Sequence, residues 1–162
     1  MIRSVNINNL DNVYRIENDC FPSSEAAPRN VILRRIETLP SDFFLVYTVN
    51  DEAVGFVNAT TTNNEFITDD LYEENYNHKV MGKYLAIMSL AVSDKFQHRG
   101  IAASLMNSLL KNAISNDLEG AVLTCKKELI HYYERFGFEN RGVSESCHGG
   151  STWYDMVFIF NK

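Results

Sequence analysis

The residues whose types and spacing most plainly suggest chemistry are Gln97-His98-Arg99-Gly100-Ile101-Ala102, at the start of a helical pattern. Small residues at the fourth and sixth positions let a phosphate approach the backbone closely. Amides in the first turn of a helix have no intrahelical partner and sit at the positive end of its dipole, so the hexapeptide reads as a cradle for a pyrophosphate. Lys95, His98 and Arg99 add positive charge to this part of an acidic chain. Neither G-x-G-x-x-G nor G-x-x-x-x-G-K-[ST] occurs at this turn, which sets aside the dinucleotide and P-loop versions of such a cradle. The plainer alternative is a strand-to-helix turn in which glycine serves geometry alone.

Other reactive side chains carry less information. Cys20, Cys125 and Cys147 are scattered and form no C-x-x-C pair, so they suggest reduced thiols and no metal site. Cys125 lies among apolar residues and reads as packing. Asp69, Asp70, Glu73 and Glu74 concentrate negative charge that would steer a cationic ligand, or else form a solvated surface.

The elements that must hold the cradle follow from periodicity. Tyr84 to Val92 is a continuous apolar run suited to a central strand. From Ala102, the residues Leu105, Met106, Leu109, Leu110 and Ala113 form one face of an amphipathic helix. Gly120 to Cys125 reads as a strand, Glu128 to Phe136 as a helix and Trp153 to Phe160 as a last strand. Upstream, Ile2 to Val5 suggests a short strand. Leu10, Val13 and Ile16 recur at helical spacing, and a second helix follows Pro28 and stops before Pro40. Phe43 to Val49 and Ala53 to Ala59 form a hairpin about Asn50-Asp51-Glu52. The polar stretch from Thr60 to Gly82 is long for a connection and reads as a binding loop or a solvated insertion, with a short helix around Asp69 to Glu74.

With 162 residues, 45% of them hydrophobic, and no linker or repeat, the chain is expected to be one α/β domain over 1–162. A net charge of −6 argues against a general nucleic-acid binder. The longest apolar run is too short to span a membrane, and the N-terminus lacks the apolar core of a secretory signal, which together suggest a cytoplasmic protein.

The hexapeptide resembles the Q/R-x-x-G-x-G/A pyrophosphate loop of the GNAT superfamily of acetyl-CoA-dependent N-acyltransferases. Phe21-Pro22-Ser23-Ser24-Glu25-Ala26-Ala27, Ser89-Leu90-Ala91-Val92, Tyr132-Tyr133-Glu134-Arg135-Phe136-Gly137-Phe138 and His148-Gly149-Gly150 with Trp153 resemble the arylalkylamine (serotonin) N-acetyltransferase branch, especially its microbial members. The resemblance implies a mixed, mostly antiparallel twisted sheet of about six to seven strands with a splayed parallel pair, flanked by about four helices. It implies acetyl-CoA as acetyl donor, no metal, and a small arylalkylamine or polyamine-like acceptor.

By the same resemblance the amine attacks the thioester in a gap between Tyr84–Val92 and Gly120–Cys125. The Leu90 amide would face the thioester carbonyl, with Ala91 and Val92 beside the pantetheine arm. Residues Gln97, His98, Arg99, Gly100, Ile101 and Ala102 would hold the diphosphate. Tyr133 matches the tyrosine that serves the departing thiolate, although it would also fill the apolar face of its helix. Glu25 matches a carboxylate used as base in other branches, or it stabilises the following helix start. His78 is the reserve base. Where the vertebrate serotonin enzyme carries two strand histidines, this chain has Ala86 and Met88. Two alternatives stay open: a protein N-terminal acetyltransferase, and a catalytically silent acyl-CoA-binding module. Monomer and homodimer are both compatible with this reading.

Overall fold

The computed structural model describes residues 1–73 and 75–160 and gathers seven strands into one open sheet. Along the chain run β1 (Ile2–Ser4), α1 (Leu10–Cys20), α2 (Arg29–Thr38), β2 (Phe44–Val49), β3 (Glu52–Thr62) and β4 (Tyr84–Val92). There follow α3 (Ile101–Ser115), β5 (Gly120–Cys125), α4 (Ile130–Glu134), β6 (Glu139–Val143) and β7 (Tyr154–Ile159). The spatial order is β1-β2-β3-β4-β5-β7-β6, antiparallel except for the parallel β4–β5 pair. This is the mixed sheet, with one parallel pair and four helices, that the resemblance implies.

Each helix buries the stripe its spacing defines. Leu105, Met106, Leu109 and Ala113 of α3 are fully buried against Leu85 and Ile87 of β4 and Leu123 of β5. Truncating one such leucine to alanine removes about 2–5 kcal/mol. On the opposite face, Leu10, Val13 and Ile16 of α1 and Ile32 of α2 cover Phe44, Val46 and Phe56. Ile67 and Leu71, from the long connection before β4, close a third cluster over Tyr84, Ala86, Val122 and Val157.

Several boundaries differ from the sequence reading. The hairpin turn is two residues, Asn50 and Asp51, both at positive φ (51° and 65°), so Glu52 opens β3 instead of belonging to the turn. The strand continues through Thr60, Thr61 and Thr62, which pair with Ala86, Leu85 and Tyr84 and are buried despite their polarity. The long connection therefore begins three residues later than composition suggests. The expected helix at Asp69 is a single 3₁₀ turn over Asp69–Tyr72; Glu74 lies outside the described residues. The helix read over Glu128 to Phe136 is a 3₁₀ turn at Lys127–Leu129 followed by the short α4. The strand β6 is absent from the sequence reading because its largely exposed residues, Glu-Asn-Arg-Gly-Val, carry no apolar alternation.

The β4–β5 pair positions the site. Only Tyr84, Leu85 and Ala86 pair with β5, opposite Gly120, Ala121 and Val122. Beyond them β4 remains paired with β3 and β5 with β7, so the sheet opens. The register against β3 skips Met88, since Asn58 faces Ser89 while Ala59 faces Ile87. This bulge lies where the parallel ladder ends. A bulge bends and twists its strand and re-aims the side chains that follow.

Candidate active site

The opening leads to a cleft of 340 Å³ lined by residues of α1, α2, β4, β5 and the segments before α2 and β7. Backbone direction can be followed from the end of β4. The Ser93 N–H donates to Val54 of β3, whereas the Val92 carbonyl accepts from Gln97 Nε2 at 3.0 Å and from Cys20 Sγ at 3.3 Å. Residues of an antiparallel strand turn their backbone groups alternately toward and away from the partner. Leu90 and Val92 therefore face away from β3, on the side β5 has vacated, while Ala91 keeps its backbone for β3.

At the mouth of this opening, Gly100 caps α3 with φ +81°, and a Cβ there would meet no atom within 4 Å. No side chain caps the helix, and the first amide bonded back to Gly100 is that of Ser104. The amides of Ile101, Ala102 and Ala103 are thus left for an outside acceptor. The side chains around them differ in placement. Ile101 is buried in the core, Gln97 is tied to β4, and His98 and Arg99 are exposed, with Arg99 stacked on Phe96 at 5.1 Å. Lys95 is also exposed, in the 3₁₀ turn Asp94–Phe96. An open, uncapped helix start beside free strand amides fits a long ligand ending in a diphosphate.

Glu25 and Tyr133 meet in the same cleft. Burial pushes the Tyr133 hydroxyl well above the ordinary tyrosine range, with the nearby Cys125 thiol adding to the effect, so it keeps its proton at neutral pH. Cys125 also lines the cleft, and burial raises its thiol to about 11, with Glu128 contributing. It is a packed thiol and not a nucleophile at neutral pH. Glu25 Oε2 pairs with Lys126 Nζ at 2.9 Å and accepts from Ser151 Oγ at 3.0 Å, while Oε1 has no partner among the described residues. The loop before β7 holds this carboxylate from behind. His148 Nε2 donates to the Glu25 carbonyl at 3.1 Å, Trp153 Nε1 donates to His148 at 2.8 Å, and a Cβ on Gly149 would lie 2.6 Å from Glu25 Cγ.

The remaining expected residues do not reach the cleft. His78 is buried within the long connection, with Nδ1 2.7 Å from Thr60 Oγ1. Burial, then Arg35 and Arg34, lower its pKa to about 4. Asp69, Asp70 and Glu73 are exposed away from the lining; Asp69 accepts from Ser146 Oγ and Asp70 from Thr68 Oγ1.

Three charged residues missing from the sequence reading do line it: Lys126, the partner of Glu25, and two from buried helix stripes. Glu17 of α1 is 4% exposed, accepting from Ala27 N through Oε2 and from Ser89 Oγ through Oε1, each at 2.9 Å. Arg35 of α2 is 6% exposed beside Tyr72. Their signal was a charge on a buried stripe: Glu17 stands four residues after Val13, and Arg35 three after Ile32.

Comparison with known proteins agrees with this fold. The acetyltransferase (GNAT) family matches over residues 10–138. Ard1 from Thermoplasma volcanium superposes with a TM-score of 0.77 at 21% identity, covering 100% of this chain and 98% of that one. Arabidopsis thaliana Naa50 in complex with the bisubstrate analogue CoA-Ac-MVNAL gives 0.73 at 19% identity, with 99% and 98% covered. A GNAT-like decarboxylase, GphF, in complex with isobutyryl-CoA gives 0.76 at 16%, with 98% of each chain covered. At these identities the structures share the fold, whereas the family match extends over most of the sequence. The chain belongs to the acetyltransferase (GNAT) family.

Proposed function

We propose that this protein transfers the acetyl group of acetyl-CoA to the primary amine of a small molecule by direct attack on the thioester. The observation that carries the reading is the convergence of Glu25, Tyr133 and the outward-facing Leu90 backbone on one cleft, next to an uncapped helix start. The amides of residues 100–103 would hold the diphosphate and the Val92 backbone the pantetheine arm. Bound acetyl-CoA supplies a thioester carbonyl carbon open to an amine.

The chain's own groups manage charge and protons. The Leu90 N–H stands ready to donate to the carbonyl oxygen as it gains negative charge, a role for which loss of one donor costs about 3 kcal/mol in comparable sites. Glu25, through its unpartnered Oε1, takes a proton from the ammonium so that nitrogen can bond to carbon. As the carbon–sulfur bond breaks, Tyr133 supplies a proton to the sulfur and regains one from the nitrogen, which sheds its second proton on becoming an amide. Because burial raises the Tyr133 pKa, its ionisation causes no loss of rate up to at least about pH 10.

A second reading, acetylation of a protein N-terminus, draws support from the likeness to Naa50 bound to a peptide-containing analogue. Thiol release from acetyl-CoA should be followed with a panel of arylalkylamines, polyamines, amino acids and free-N-terminus peptides. Turnover confined to small amines is expected; turnover confined to peptides would support the second reading, and none on any acceptor would overturn both.

A further inference from the structure

Arg35 is the one charged side chain of the cleft that has neither a hydrogen bond nor an ion pair among the described residues, although it is 6% exposed. Its neighbours are accounted for. Glu17, its main electrostatic partner, lies beyond ion-pair distance and spends its oxygens on Ala27 N and Ser89 Oγ. Lys126, the other cleft cation, is paired with Glu25. Tyr72 offers Arg35 only the edge of cation–π range, at 6.0 Å, and its ring is stacked on His148 at 5.3 Å. Burial lowers the Arg35 pKa, the mark of a guanidinium taken out of water without a matching contact.

A guanidinium cannot shed its charge under ordinary conditions, and it presents a planar fork of donors matched to a carboxylate. We propose that Arg35 is the specificity residue of the acceptor pocket and binds a carboxylate, so that the substrate is an amine that also carries an acid group, of the amino-acid class. The proposal rests on the acetyltransferase reading above and narrows its acceptor. Placement favours the acceptor over the acyl chain as the source of the carboxylate. Arg35 and Glu17 come from α2 and α1, whereas Leu90 and Tyr133, proposed above to serve the thioester, come from β4 and α4. The cleft also holds two carboxylates, Glu17 and Glu25, against two cations, Arg35 and Lys126. This balance suits a zwitterion. A polyamine would set a further cation beside a buried guanidinium.

The test compares matched acceptors with and without the acid group: tyrosine and tyramine, tryptophan and tryptamine, ornithine and putrescine, γ-aminobutyrate and butylamine. The expected result is a preference for the acid member of at least one pair of about 10- to 100-fold in kcat/KM, the range of hydrogen bonds to a charged group. Arg35→Gln should reduce that ratio to near unity by raising KM. Binding of the same acids to the CoA-saturated protein, measured by calorimetry, should weaken by the same factor in Arg35→Gln, with melting and CoA affinity confirming that the variant is folded. Preference for the decarboxylated member in every pair, or a ratio unchanged in Arg35→Gln, overturns the proposal. So does amine-independent binding of succinyl-CoA over acetyl-CoA that depends on Arg35, because the carboxylate would then belong to the acyl chain. Turnover on simple amines without acid preference sinks only this inference, whereas CoA binding with no turnover on any acceptor sinks the acetyltransferase reading itself.

Discussion

Burial favours the neutral form of both Tyr133 and His78, raising one pKa and lowering the other. The hydroxyl of Tyr133 stays protonated inside the cleft. Replacing it with phenylalanine keeps the ring contacts with Tyr132 and Phe138 but removes the proton. Tyr133→Phe is expected to lower kcat by about 100-fold while leaving CoA affinity nearly unchanged, as single-turnover kinetics and CoA titration would show. His78 is held neutral, its folded pKa of about 4 lying below the ordinary 6.5. The unfolded chain therefore takes up a proton between about pH 6.5 and pH 4 that the folded chain refuses. Stability falls as pH drops through that window, by an amount on the order of 3 kcal/mol. Melting curves across this range should flatten in His78→Gln. As lining of the cleft, Glu25 and Tyr133 were legible in the sequence through the motifs around them. Glu17 and Arg35 were not, because a charge on an amphipathic helix looks like surface until the sheet and the long connection close over it.

The cradle and the loop before β7 are local constructions, and each depends on one glycine. At Gly100 a side chain would enter the open space before the α3 amides, in a backbone conformation that β-branched residues avoid. Gly100→Val should weaken CoA binding at least tenfold and cost about 1–2 kcal/mol of stability, read by calorimetry and thermal melting. At Gly149, φ is +65° and an added methyl would collide with the Glu25 side chain. Gly149→Ala should therefore lower kcat more than it weakens CoA binding, because it moves the carboxylate proposed as the base. Among the elements that bury apolar stripes, α3, β4 and β5 could be read from spacing nearly to the residue, and α1 by its buried face alone. Those built from polar residues could not: Thr60, Thr61 and Thr62 are strand because β4 supplies partners, and Glu139 to Val143 because β7 does. The bulge at Met88 likewise leaves no trace in composition, since it arises only when β4 is laid against β3.

Among the described residues no helix is long and apolar enough to cross a membrane, and no three His, Cys, Asp or Glu side chains converge as a metal site. The molecule is organised around the opening in its sheet. The strands β1 to β4 form one leaf and β5 to β7 another, and their backbones are stitched together by three residue pairs at one end. Past that seam the gap is spanned by α3, by packed side chains and by the polar contacts of Glu25 with Lys126, Ser151 and His148. A ligand lying along β4 would act as a missing rung, so saturating CoA should slow amide hydrogen exchange at residues 87–92 far more than in the β2–β3 hairpin. Without it the two leaves have room to hinge about the seam, and the protein gains in the bound state a mechanical continuity that its own backbone leaves unfinished.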